Sequence, residues 1–401
     1  MSEPLPGARL LDAGPSGDDT IQSSRIAGRD YVEIHASARP DPSASGFEAQ
    51  SLSACENLRR LIGLEGGSLR DIVAEKVFLS DIRSQVGPFD RIRREFMEGD
   101  GGAPALSPAT TLVQQPPARP GQLLEIQAVA VLPGGSGRLI SRRMEGLPPG
   151  ASGRVVEVGE LRHLYLAGVV GGTEGDGLDA YGQASSMFRC AEVCLGAEQI
   201  PFRDVLRTWI HLPDIDRTYA DLNRARSEFF TQRGVRPAPA STGIQGVVYP
   251  PDRKCGLSLT TIVGRKRVPS RPVHAPTMNE APSYGSDFSR GIAADLPDRR
   301  VIYVSGTASI DAEGRVVHVG DIEGQVDRML LNVEEILAGQ GTGYAGLVSA
   351  ITYLKRPEFL EPFRRVAARR GLAERIPNSI VVAGVCRPEW LCEIEAVAVL
   401  L

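Results

Sequence analysis

Long apolar runs are missing from this sequence, and no stretch approaches the roughly 20 residues that a membrane-spanning helix needs. Charge of one sign never accumulates. Forty-five Lys and Arg stand against 49 Asp and Glu, mixed along the chain, for a formal net charge of −4. With neither a basic tail nor an acidic block, nucleic acid and membrane surfaces are excluded as expected partners. The six cysteines form no CxxC pair and have no His at zinc spacing, so they read as reduced core thiols of a cytoplasmic protein. His35, His163, His211, His274 and His318 are scattered without acidic or Cys neighbours at ligand spacing, and no metal centre is expected. The opening Met-Ser-Glu-Pro-Leu-Pro lacks the charged-then-apolar order of a secretion signal. No glycine-rich phosphate loop opens a helix, and Gly171-Gly172 begins only a short loop.

What the chain has is glycine and proline, 44 and 29 of them, gathered at connections between patterned segments. The segments recur in one order. A strand at Asp30–Ala36 leads to a helix from Phe47 to Leu64, a strand ending at Ile82, a helix from Phe89 to Phe96, and a closing strand from Gly121 to Leu132. The order returns from Leu161 to Val263 and again from Arg300 to Leu400. Each copy is about 100–115 residues, the size of one small domain, so the period means tandem domains and not a solenoid. The predicted fold class is α+β. Residues 1–20 form a flexible arm, 21–133 the first unit, 158–264 the second and 299–401 the third, with 265–298 a linker that contributes to the site.

The last strand, Trp390-Leu-Cys-Glu-Ile-Glu-Ala-Val-Ala-Val-Leu-Leu401, carries Glu393 and Glu395 on one face, because side chains alternate along a strand. Acids in such a strand are either rim charges or working general acids.

Cys55-Glu-Asn-Leu, Leu69-Arg-Asp-Ile-Val-Ala-Glu-Lys-Val-Phe-Leu-Ser-Asp-Ile82 and Glu125-Ile-Gln-Ala-Val-Ala130 resemble the Rid (YjgF/YER057c/UK114) superfamily. Its members are small domains that form trimers with ligand sites in the clefts between subunits. The resemblance implies that three copies in one chain fold as an intramolecular pseudo-trimer. Tyr284-Gly-Ser-Asp-Phe-Ser-Arg290, Val304-Ser-Gly-Thr-Ala-Ser-Ile310, Arg207-Thr-Trp209 and Pro239-Ala-Ser-Thr-Gly-Ile244 look like the chorismatase family within that superfamily. Those proteins are metal-free, cofactor-free hydrolases that release pyruvate from chorismate. The chain departs from the family pattern at His211, at Ala225-Arg226 and at Asp311-Ala-Glu313, which puts the substrate in doubt but not the fold.

Hydrolysis of an enol ether needs a proton on the vinyl carbon and then water on the oxocarbenium ion. A carboxylic acid of raised pKa in a dry cleft suits the first step. Aligning the closing strands places Gln127 and approximately Thr260 where the third unit has Glu395, so Glu395 is the expected proton donor and Glu393 a structural acid. The resemblance further nominates Arg226, Arg290, Tyr219, Thr242, Ser289, Gly306, Thr307 and Ala308 for substrate binding, the arginines because their forks suit carboxylates. The expected partner is a small carboxylated molecule, with homodimerisation left open.

Two other readings stand beside this one. A Rid-type enamine/imine deaminase would depend on an arginine in a Pro-x-Arg setting. The comparable places read Pro108-Ala-Thr-Thr111, Pro239-Ala-Ser-Thr242 and Pro377-Asn-Ser-Ile380, without it. A non-catalytic pseudo-trimer that binds a small ligand is the third.

Overall fold

The computed structural model describes residues 9–13, 19–98, 106–135, 138–172, 176–372 and 376–401. Its first sheet is built from β1 (Arg9–Ala13), β2 (Ile21–Ala27), β3 (Tyr31–Ala38), β4 (Ile72–Leu79), β5 (Ala109–Gln114) and β6 (Leu124–Pro133), with helices α1 (Phe47–Leu64) and α2 (Ile82–Glu98) between strands. The second contains β7 (Leu139–Arg143), β8 (Ser152–Val158), β9 (Leu161–Val170), β10 (Arg207–Leu212), β11 (Ala240–Gln245) and β13 (Gly256–Gly264), with α3 (Ala180–Ala197) and α4 (Ile215–Arg233). Between them in sequence lies the two-residue strand β12 (Val247–Val248), which joins the first sheet and pairs with β5. The third has β14 (Ser270–Pro272), β15 (Gly291–Asp295), β16 (Arg300–Ala308), β17 (Leu347–Leu354), β18 (Asn378–Val382) and β19 (Cys392–Leu400), with α5 (Ile322–Ala338) and α6 (Leu360–Arg369).

The three sheets share one topology. Each closing strand, β6, β13 or β19, lies in mid-sheet, antiparallel to the strands on both sides. On one flank a hairpin pairs with it, and on the other a strand joined to its parallel neighbour through a crossover helix. Local chemistry starts three of the helices. The Asp179, Asp214 and Asp321 side chains accept from the backbone N–H groups of Gly182, Arg217 and Gly324 at the N-termini of α3, α4 and α5. α4 stops at Gly234, whose φ of 58° is the left-handed conformation that glycine adopts without a steric cost.

Each pair of helices covers one face of its sheet over a separate apolar core. The opposite faces turn toward one another. There Ile26 of the first unit, Leu206 and Ile262 of the second, and Ile292 and Val399 of the third form one buried cluster. Backbone pairing closes the ring. β12 lies against β5, Ala240 bridges to Ser289, and Val381 bridges to Pro117. The chain is an α+β protein of three tandem Rid-like units arranged as a pseudo-trimer.

The structure adds strands where the sequence reading had an arm or linkers. β1 falls within residues 1–20, whose remainder includes positions outside the described residues, and β8 and β15 fall in segments read as connections. β8 was illegible because its centre holds Arg154, which is fully buried and donates to the carbonyls of Leu106 and Arg70 and to Ser141. A buried arginine that finds carbonyl partners looks, in sequence, like a solvated loop residue. α2 begins at Ile82, ahead of the expected start at Phe89, and runs through Pro88. Among the described residues no helix is long and apolar enough to cross a membrane.

Candidate active site between the second and third units

Glu393 and Glu395 are both 4% exposed and lie on the same face of β19, yet their surroundings differ. Glu395 lines a central cavity to which all three units contribute. Glu393 lies one pleat along, where β16 and β19 of the third unit meet β11 of the second.

Glu395 is held by cations and donors from other units. Arg207 Nη2 donates to its Oε2 at 2.7 Å and Trp209 Nε1 to its Oε1 at 2.5 Å, while Lys76 Nζ stands 3.7 Å from Oε1. Burial alone would push this carboxyl up. Arg207, Lys76 and hydrogen bonds from Thr242 and Trp209 outweigh burial and hold it below the usual range. Glu395 is therefore ionised at neutral pH, the opposite of what a proton donor requires. Strand register also revises the comparison between units. Ile351 faces Glu395, Lys76 faces Gln127 and Trp209 faces Ser258, so the counterpart in the second unit is Ser258 and not Thr260. The counterparts remain neutral.

The Glu393 carboxyl has no ion pair or hydrogen bond among the described residues. Burial pushes its carboxyl up to about 8, the charge of Glu395 adds to this, and Arg207 and Arg290 oppose it. Its place depends on a bulge in β16, where the register with β19 shifts between Val304 and Thr307. Gly306 sits in that bulge, and a methyl group there would fall 2.0 Å from Glu393 Oε1 and 3.2 Å from Thr242 Cγ2. Only glycine admits the acid so close to the strand.

Several nominated residues gather here. Thr242 Oγ1 accepts from Arg207 Nη2 at 2.5 Å and from the Gly306 N–H at 3.0 Å, tying the two units together at the acid. Arg226 and Arg290 are 1% and 3% exposed, and their guanidinium carbons lie 5.6 and 5.5 Å from the Phe288 ring centroid. Arg226 donates to Asn223 Oδ1 at 2.5 Å, and its Nε has no partner. Arg290 donates to the carbonyl and Oδ1 of Asn279. Two buried cations on one ring make a corner suited to an anion. Tyr219 closes the side, its ring 3.1 Å from where a methyl on Gly243 would stand, with Cys386 beside it.

Three nominated residues serve the scaffold. Ser289 donates its hydroxyl to the Ala238 carbonyl, and Thr307 bonds back to the Ser305 carbonyl. Ala308 is packed in the core of the third unit, and its carbonyl accepts from Asn332. Conversely, Arg207, Lys76, Phe288 and Asn223 were not nominated. An arginine inside the apolar strand Arg207-Thr-Trp-Ile-His-Leu212 was the available signal for the first. His211 is a neutral wall residue, its imidazole pushed well below the usual range by burial.

Comparison with known proteins agrees with this architecture. The family described as Endoribonuclease L-PSP matches residues 278–400. The 3-aminoacrylate deaminase RutC of Acinetobacter baylyi is 30% identical over 98 residues, 24% of this chain and 78% of that protein. A crystal structure of chorismatase superposes with a TM-score of 0.61 at 18% identity, covering 82% of this chain and 93% of that one. At that identity the likeness concerns the fold, and it extends over all three units. The chain belongs to the Rid (YjgF/YER057c/UK114, endoribonuclease L-PSP) superfamily, in a chorismatase-like form with three units on one polypeptide.

Proposed function

We propose that the cleft between the second and third units hydrolyses the enolpyruvyl ether of chorismate, or of a closely related carboxylated enol ether, releasing pyruvate. The observation that carries this reading is Glu393, a desolvated carboxyl with a raised pKa in the field of the buried Arg207 and Arg290. In the proposed reaction the Glu393 proton passes to the vinyl methylene carbon, and the ether oxygen shares the positive charge that results. Water adds to the oxocarbenium carbon, returning its proton to the Glu393 carboxylate. The hemiketal then breaks its C–O bond, giving pyruvate and the ring alcohol. One water is consumed, and the acid is regenerated.

Arg226 and Arg290 would bind substrate carboxylates, and bidentate pairing would fix the ring relative to the acid. Thr242 and the Gly306 amide would position the strands that flank the vinyl group. Glu395 takes a different part from the one expected of it. As the ionised partner of Arg207 it would hold that guanidinium, which in turn braces Thr242.

The deaminase reading has less support. Ser241, in the Pro-x-Arg position of the second unit, is buried and accepts from Thr208 Oγ1, leaving no cation there. The test is direct: incubate pure protein with chorismate and follow pyruvate. Steady release supports the reading, and its absence from wild type overturns the substrate. Glu393→Gln is expected to lose about 10²–10⁴ in rate, the usual contribution of a positioned acid.

A further inference from the structure

The central cavity adjoins that cleft through Arg207, but Glu393, Arg226 and Arg290 do not line it. Its volume is about 120 Å³, and its lining is mostly apolar. Ala128, Leu259 and Ala396 come one from each unit. An apolar engineered cavity of about 150 Å³ accommodates benzene, so this one has room for a molecule of about five to seven non-hydrogen atoms.

Its polar groups are not balanced. Lys76 is 8% exposed, and its Nζ makes no hydrogen bond; Arg207 is 1% exposed, and its Nη1 makes none either. Both side chains line the cavity. One carboxylate, Glu395, serves the two cations. The other titratable groups near Lys76 are His211, which is neutral, and Glu75, whose charge is matched by Arg93 at 2.6 Å. Farther along the cavity, Glu33 is bonded to His35 at 2.7 Å and lies in the field of Arg299, and His163 is neutral, its pKa lowered by burial to about 4. The Lys76 end thus carries one excess positive charge and two buried donors without acceptors. Burying such groups is costly, and an anion accepting from both removes that cost. Trp209, whose ring centroid is 4.8 Å from Lys76 Nζ and 4.9 Å from Arg207 Cζ, provides an apolar wall beside them.

We infer that the cavity on the pseudo-threefold axis is a second ligand site, taking a small monocarboxylate between Lys76 and Arg207 with its apolar tail among the inner strands. Charge sets the class, because a dianion would face Glu395 without compensation and a cation would face Lys76. Volume sets the size. The site is unlike either of its rotational counterparts. Ile351 stands where the first unit has Lys76, and Ala74 and Ser349 where the second has Arg207.

The experiment is calorimetric titration with propionate, using propylammonium as the control cation. Propionate should bind saturably with a dissociation constant of about 1 mM or tighter. Binding should weaken at least about tenfold in Lys76→Met and survive in Arg226→Leu, which removes a cation of the outer cleft only. With wild type alone, it should weaken from pH 7 to pH 10 as Lys76 loses its charge. Absence of saturable binding, equal binding of propylammonium, or binding lost in Arg226→Leu but retained in Lys76→Met would each overturn the assignment. The last result would put the carboxylate in the cleft.

Discussion

Arg207 Nη2 stands 2.7 Å from Glu395 Oε2 and 2.5 Å from Thr242 Oγ1, so one guanidinium joins the central cavity to the outer cleft. It separates the fates of two glutamates two residues apart. The one it touches is ionised. The other, which feels it only through space, retains its proton to about pH 8.

Glu395→Gln removes the counter-charge of Arg207 and Lys76 while preserving shape. Leaving buried charge uncompensated typically costs about 3–5 kcal/mol. Urea unfolding at pH 7 should show a loss of that order. An unchanged midpoint would mean that the ion pair contributes nothing to the fold.

Glu393→Gln should act in the other direction, and increasingly so as pH rises from about 4.5 to about 8. The folded-state pKa of Glu393 is raised above the unfolded value, so its contribution is full below about pH 4.5 and is lost as pH rises through about 8. Gln carries no such penalty. The variant should match wild type in stability near pH 5 and exceed it near pH 9, as read from thermal melts at both values.

Lys76→Met should raise the melting temperature at pH 7. Burial depresses the Lys76 pKa to about 8, so the folded state binds fewer protons than the unfolded chain. Stability from this group is reduced below pH 8 and recovers toward pH 10.5. Methionine has similar length and no charge to bury. The gain should shrink at pH 10.

Gly306→Ala tests the close approach of the acid. The added methyl would lie 2.0 Å from Glu393 Oε1, so the carboxyl must move. A shift of about 1 Å at a reacting group can cost about 100-fold. Pyruvate release should fall by that order, with the circular dichroism spectrum unchanged. Full activity in this variant would place the reacting carboxyl elsewhere.

Much of the fold was legible because each unit repeats its own rhythm. Three apolar closing strands and three helix–strand alternations mark the units whatever the local irregularities. The hairpin strands β8 and β15 were not legible, since one hides a buried arginine and the other is a short run, Gly291-Ile-Ala-Ala-Asp295. The cleft was half legible. Resemblance led to Thr242, Gly306, Arg226 and Arg290, which do converge. Alternation showed that Glu393 and Glu395 share a face, but not what each faces. That depends on Arg207, 188 residues from Glu395 in sequence, and on Lys76 from yet another unit. No local pattern encodes a contact assembled from three units. Choosing Glu395 because its counterparts are neutral identified a position that is special for its ion pair and not for its acidity.

The central claim is that Glu393 donates the proton, and the pH profile of pyruvate release from chorismate tests it most directly. Wild-type kcat/KM should be level at neutral pH and fall as pH rises through about 8, where the acid loses its proton. Glu393→Gln should lose about 10²–10⁴ in rate at every pH, with no limb near pH 8. Glu395→Gln, assayed well below its melting temperature, should keep measurable turnover and the same falling limb, displaced because a neighbouring charge is gone. Retained activity in Glu393→Gln, or loss of the limb in Glu395→Gln alone, would contradict the assignment.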